Sequence, residues 1–258
     1  MSILTSQAVT NRIGGDGNQG VYAESSTPLH YLGEKLEFKD GRSFRYCKAS
    51  GATIAAGHLV AQDQSATSVV ETDGVIIAAA GRFSISAGST AIQITKASVT
   101  KNQFAGAFFM ITDDDGEGHQ YKVKSNSATG FTTSGKVDFD FFDPLVVAVT
   151  TSSDVAIVGG LYNEVMSCTQ NTDEIPVGVA TRAVTADYYF WAQSAGIACV
   201  LADASGGAIA LGDKLTVSDG VAGAAQLQDA YTEAAIGSAC FAPDDTGHVG
   251  VHLYGLTA

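Results

Sequence analysis

Asp113-Asp-Asp-Gly-Glu-Gly-His119 is the densest group of carboxylates in the chain. Calcium requires six to eight oxygen ligands at set positions. In an EF-hand register one ligand falls at 111, where Ile111 stands, so the run reads as a solvated hairpin tip. Asp138, Asp140 and Asp143 read as a wet strand face. The five histidines (His30, His58, His119, His248, His252) lack metal-ligand spacing on a helix. His248 and His252 share one face of a strand, without a third partner. Gly15-Asp-Gly17-Asn-Gln-Gly20 matches G-x-G-x-x-G. The dinucleotide motif needs a strand before it and a helix after it; no apolar strand precedes this one, and Val21–Pro28 is not helix-like. There is no G-x-S-x-G, Walker or zincin pattern. The expectation is a non-enzyme with no catalytic, metal or cofactor residue.

Cys47, Cys168, Cys199 and Cys240 are far apart, with no C-x-x-C. Zinc favours closer ligand pairs, so buried free thiols of a reducing compartment are expected. Tyr188-Tyr-Phe-Trp191 is the most aromatic run. It reads as a core strand, the alternative being a ligand platform.

These residues sit in 258 positions with 29 glycines, 4 prolines and a net charge of −13. A chain of this length buries roughly 70% of its unfolded surface and supports one or two domains. The acidity is uneven. Residues 1–50 carry six basic and five acidic side chains; the other 208 carry 8 and 22. Such a body repels phosphate backbones, which argues against nucleic acid. Met1–Gly15 shows no basic region followed by an apolar run, so no secretory signal is expected. No stretch approaches the ~20 apolar residues of a membrane span.

Thr10–Gly20 and Ala23–Pro28 show neither period 2 nor period 3.6, so Met1–Leu32 reads as an extended arm. Strands are expected after it. Lys35–Lys39 and Ser43–Lys48 flank Asp40-Gly41, a hairpin signal. Gly51–Val60, Val69–Ala79, Ala91–Thr95 and Phe108–Ile111 follow. Gln120–Lys124, Val137–Phe141, Val146–Val149 and Val155–Val158 come next. After Pro176, Val177–Ala183, Tyr188–Gln193, Ile197–Ala202, Lys214–Val217 and Val249–Tyr254 are candidates. Ala224–Ala235 alone has a helical spacing, through Leu227, Tyr231 and Ala235. Short strands at turn-punctuated intervals predict an all-β chain of two β-sandwich or barrel-like domains. Gly206–Val217 weakly echoes Ser50–Val60.

The last third has a recognisable succession: Val177-Gly-Val-Ala180, Ala186-Asp-Tyr-Tyr-Phe-Trp-Ala-Gln193, Gly196-Ile-Ala198, Ala208-Ile-Ala-Leu-Gly-Asp-Lys-Leu215, Ile236-Gly-Ser-Ala239 and Gly247-His-Val-Gly-Val-His-Leu-Tyr-Gly255. With Gly51–Val60 upstream, it resembles the capsid decoration (cement) proteins of tailed bacteriophages. The resemblance implies a decoration-like β domain in 33–60 plus 173–258, an inserted β domain in 61–172, and the arm in 1–32. It implies a structural virion protein on the outer capsid surface, with the major capsid protein as partner and no nucleic acid, membrane or cofactor. Self-association is expected, a trimer before a monomer. Arg12, Tyr22, Leu29, Tyr31, Lys35, Arg42 and Arg45, on the arm and first hairpin, are the candidate capsid contacts. The alternatives are another phage part (head fibre, tail or adaptor) or a carbohydrate- or calcium-binding β module.

Overall fold

The computed structural model describes residues 8–9, 19–63, 70–76, 84–131, 133–169, 174–230, 233–241 and 247–256, with 8–9 and 70–76 described by backbone pairing. The fold is all-β. It divides into two compact units, Met1–Asp63 with Leu161–Ala258, and Gln64–Gly160.

The first unit opens with β1 (Ala8–Val9), β2 (Glu24–Ser25), β3 (Lys35–Phe38), β4 (Ser43–Lys48) and β5 (Leu59–Gln62). The second is built from β6 (Val70–Ile76), β7 (Ala91–Thr95), β8 (Phe108–Asp113), β9 (Gln120–Asn126), β10 (Lys136–Phe141) and β11 (Asp154–Val158). The chain returns to the first with β12 (Val165–Ser167), β13 (Pro176–Ala180), β14 (Tyr189–Leu201), β15 (Lys214–Val217), β16 (Ala225–Leu227), β17 (Gly237–Ala239) and β18 (His248–Tyr254).

The second unit is a closed antiparallel barrel in the order β10-β7-β6-β11-β8-β9. Alternating residues of its strands fill the interior, with Phe109, Phe139 and Ile94 fully buried. Asp138 corrects the expected wet face. It is buried, accepting from Gln93 Nε2 at 2.7 Å while its own N–H donates to Ser127 Oγ at 3.0 Å. Val146–Val149 forms no strand; its Val149 N–H instead donates to the Ile85 carbonyl.

The first unit is a sheet in the order β1-β3-β4-β14-β18-β17-β15-β16, with β2 and β13 joined to β14, and β5 joining β13 to β12. Two expected strands, 188–193 and 197–202, are one. Between Gln193 and Ala195 β14 shifts register against β4, and at Ala195 it passes from pairing with β4 to pairing with β18; Gly196, with φ at 82°, follows at once. A Cβ there would lie 3.0 Å from the backbone of Gly41 and Arg42, so only glycine fits both the conformation and the contact. The segment 161–168, expected within the insertion, belongs to this unit because β12 pairs with β5. Ala225–Leu227 is strand, not helix. Ala224 and Ala225 are buried and β16 pairs with β15, so cross-strand bonding overrides alanine's helical propensity.

A local two-fold relates two turns at an offset of 130 positions. Ile54 and Val184 exchange backbone bonds at 3.0 and 2.8 Å, Gly57 N–H donates to Ala180, and Asp187 N–H donates to Ser50. Gly57 and Asp187 both have positive φ. The symmetric partner of Ser50–Val60 is thus the segment ending in the aromatic strand, rather than Gly206–Val217.

Candidate docking surface

The aromatic run is core on both sides. Phe190 joins one apolar cluster with Cys47, Val60 and Val177; Trp191 joins another with Phe44 and Tyr46. At 2% exposure Trp191 offers no ligand platform, which removes the aromatic support for a carbohydrate-binding module. What covers it is the leader. The indole N–H of Trp191 donates to the Gln19 carbonyl, and the buried Gln19 side chain accepts from Tyr46 Oη at 2.8 Å and donates to the Ala23 and Tyr189 carbonyls. Thr181 Oγ1 donates to the Val21 carbonyl, and Arg182 donates to the Tyr22 carbonyl and the Glu24 carboxylate.

Residues 19–32 are therefore fastened to their own subunit and are not a free arm. A polar segment without hydrophobic period still carries main-chain donors and acceptors, and here distant side chains satisfy them. β1 pairs with β3 at the sheet edge. Residues 1–7 and 10–18, and Arg12 with them, lie outside the described residues.

The turn that follows is built to hold Tyr31 outward. His30 packs between Tyr46 and Trp191, with centroids 5.0 and 4.9 Å away. The Glu34 carboxylate meets His30 Nδ1 and accepts the Tyr31 N–H, both at 3.3 Å. Leu29 N–H donates to Tyr46 Oη, whose pKa burial pushes up. Pro28, Leu29, His30 and Tyr31 line a shallow recess. Tyr22, at 64% exposure, and Tyr31, at 73%, project from this layer, with Leu29 also exposed.

The cationic candidates are engaged internally. Lys35 pairs with Glu37 at 2.8 Å, and that bond holds the Glu37 carboxyl below the usual range. Arg42 pairs with Asp40 at 2.8 Å and lies over Phe38. Arg45 Nη1 donates to the Gly33 carbonyl, and its guanidinium lies over Tyr162. The structure thus leaves Tyr22, Leu29 and Tyr31 exposed, Leu29 and Tyr31 beside one recess and Tyr22 beside another, and turns Arg42 and Arg45 to holding the hairpin.

Chemistry elsewhere is sparse. His58 Nδ1 lies 2.9 Å from Ser167 Oγ, but among the described residues no carboxylate bonds to His58. No group of three or more His, Cys, Asp or Glu side chains among the described residues is arranged to hold a metal. A groove of about 400 Å³ is lined by Tyr22, Gly57, Thr181, Gln193, Cys199 and His248. Sequence reading left Ile197 and Tyr254 unassigned and expected Cys199 to be buried, yet all three stand outward on β14 and β18, Cys199 exposed because it alternates with core residues. Their signal was the alternation with buried Ala198, Val200 and Leu253. No protein-family model, curated protein or solved structure matches the chain.

Proposed function

We propose that this chain is a non-enzymatic virion protein that binds the outside of a tailed-phage head and reinforces it. The reading draws on the strand succession from Val177 to Gly255, which resembles capsid decoration proteins. One structural observation carries the manner of attachment: Tyr22, Leu29 and Tyr31 stand exposed on a layer that is itself bonded to Trp191 and Tyr46. Exposed aromatics on a fixed base lose little side-chain freedom on docking, a property of interface anchors. Attachment is then by a pre-formed surface, with the acidic body carried away from the shell. Many copies on a lattice multiply a modest affinity.

The test mixes purified protein with undecorated heads and counts bound copies per particle. Saturable binding is expected, with occupancy reduced when Tyr22→Ala and Tyr31→Ala are combined. No binding by the full chain would overturn the reading. Binding that ignores both tyrosines would move the contact elsewhere on the protein.

A further inference from the structure

The sheet of the first unit forks along β14. β13 pairs with it at Val179–Gln193 and Ala180–Ala192, and from Ala195 onward β14 runs beside β18. The turn at Gly57 spans the fork: its N–H donates to the Ala180 carbonyl at 2.7 Å, and its own carbonyl accepts the Leu201 N–H at 2.8 Å. The His248 ring lies against that turn, 2.7 Å from where a Cβ on Gly57 would be. The groove of about 400 Å³ occupies this fork, with Ala56, Val179, Ala180 and Ala198 as its apolar wall. Gln193 lines it too, although the residue is only 4% exposed. Its Nε2 donates to the Ala195 and Ile197 carbonyls at 3.1 and 2.9 Å. Its Oε1 accepts from no group among the described residues.

Buried polar groups in folded proteins are ordinarily paired, and an acceptor left open in an apolar recess marks where a donor fits. Thr181 cannot be that donor, because its hydroxyl proton goes to the Val21 carbonyl. None of the described residues lining the groove is Asp, Glu, Lys or Arg. Of the charged groups next to it in the chain, Arg182 is bonded to Glu24, and Asp244-Asp245, ahead of His248, lie outside the described residues. A charged ligand would lose its hydration against this wall without meeting an opposite charge there. A neutral donor satisfies Gln193 and removes apolar surface from water as well. We infer that the groove is a binding site for a small neutral amide, whose N–H donates to Gln193 Oε1 and whose short aliphatic body packs on Val179, Ala180 and Ala198. The inference is independent of shell binding, although Tyr22 stands at the rim.

Cys199, an exposed thiol lining the groove, supplies the handle for a test. The full chain is equilibrated with the disulfide of N-isobutyrylcysteamine over a series of 2-mercaptoethanol concentrations. Intact mass and peptide mapping read the fraction of Cys199 carrying the probe. Two comparison disulfides are run beside it: the matching isobutyryl ester of 2-mercaptoethanol, which lacks the N–H, and cystamine, which is cationic. The amide adduct is expected to withstand at least about tenfold more reductant than either, since neither gives the buried carbonyl a neutral donor on an aliphatic body. Ala56→Phe, which fills the groove from an exposed position, removes that advantage, and its unfolding midpoint shows whether the fold is kept. The ester comparison needs no substitution and decides the matter by itself if that variant melts early. Equal retention of amide and ester overturns the inference, as does an advantage that survives in folded Ala56→Phe. Cystamine retained best overturns it too, because the groove would then select charge. A chain that fails this test and still decorates heads would leave the proposed function standing.

Discussion

The indole N–H of Trp191 donates to the backbone carbonyl of Gln19 at 3.0 Å, across 172 positions of sequence. That bond, with the one from Tyr46 to the Gln19 side chain, makes the leader the outer layer of the aromatic cluster. Gln19→Ala leaves the Tyr46 hydroxyl and two carbonyls without this partner and is expected to cost about 1–3 kcal/mol. Trp191→Ala is expected to cost about 3–5 kcal/mol. Trp191 is the single tryptophan, so urea unfolding followed by its fluorescence reads the first variant directly. A red-shifted emission in Gln19→Ala is expected. An unchanged midpoint and spectrum would show that the leader does not cover the indole.

His58 is expected to set part of the acid sensitivity. Burial holds its pKa below the ordinary histidine value, and the nearby His248 adds to the depression. The unfolded chain then takes up the proton more readily than the folded one. Stability from this group is complete above the ordinary pKa of about 6.5 and is lost as pH falls through that value toward the folded pKa. Thermal midpoints should decline from about pH 7 to pH 5. His58→Gln should flatten that slope, and a slope equal to the wild type's would refute the assignment.

The four thiols should react in a definite order. Burial pushes the pKa of Cys47 up, and that of Cys168 likewise, with Glu174 adding to the second. The thiolate is the nucleophile, so both should resist alkylation in the folded protein. Cys199 is exposed and Cys240 half-buried. Iodoacetamide with peptide mapping should find Cys199 modified first, Cys240 next, and the other pair only after denaturant. Early modification of Cys47 would contradict the packing around β4.

Gly237 has no room for a side chain. A Cβ at this position would lie 2.4 Å from the His252 carbonyl oxygen, which is backbone and cannot swing away. Gly237→Ala should cost about 3 kcal/mol by forcing β17 from β18. Gly206→Ala, with nothing within 4 Å of the added carbon, should be close to neutral. Comparing their melting temperatures checks the pair, and equal values would refute it.

Much of the strand layout could be read from residue order. Asp40-Gly41 marks the β3–β4 hairpin because glycine takes positive φ, and Gly41 has φ of 88°. Alternation at Val137–Phe141 marks the barrel strand and assigns Phe139 and Phe141 to its interior. The burial of Asp138 on the other face of that strand was not legible, because it depends on Gln93, 45 positions away. Nor was the single length of β14, which shifts register between Gln193 and Ala195, just before Gly196, and so lets one strand serve two partners.

The leader shows most sharply where local information ends. Periodicity and turn chemistry are short-range properties, carried by residues a few positions apart, and they specify which segments are strands. Whether Gln19 through Leu32 hangs free or lies against Trp191 depends on hydrogen bonds and ring contacts that exist only once β4 and β14 stand side by side. The same holds for the outward row Ile197–His252–Ser238–Lys214, whose members come from four strands and acquire a common face through register alone.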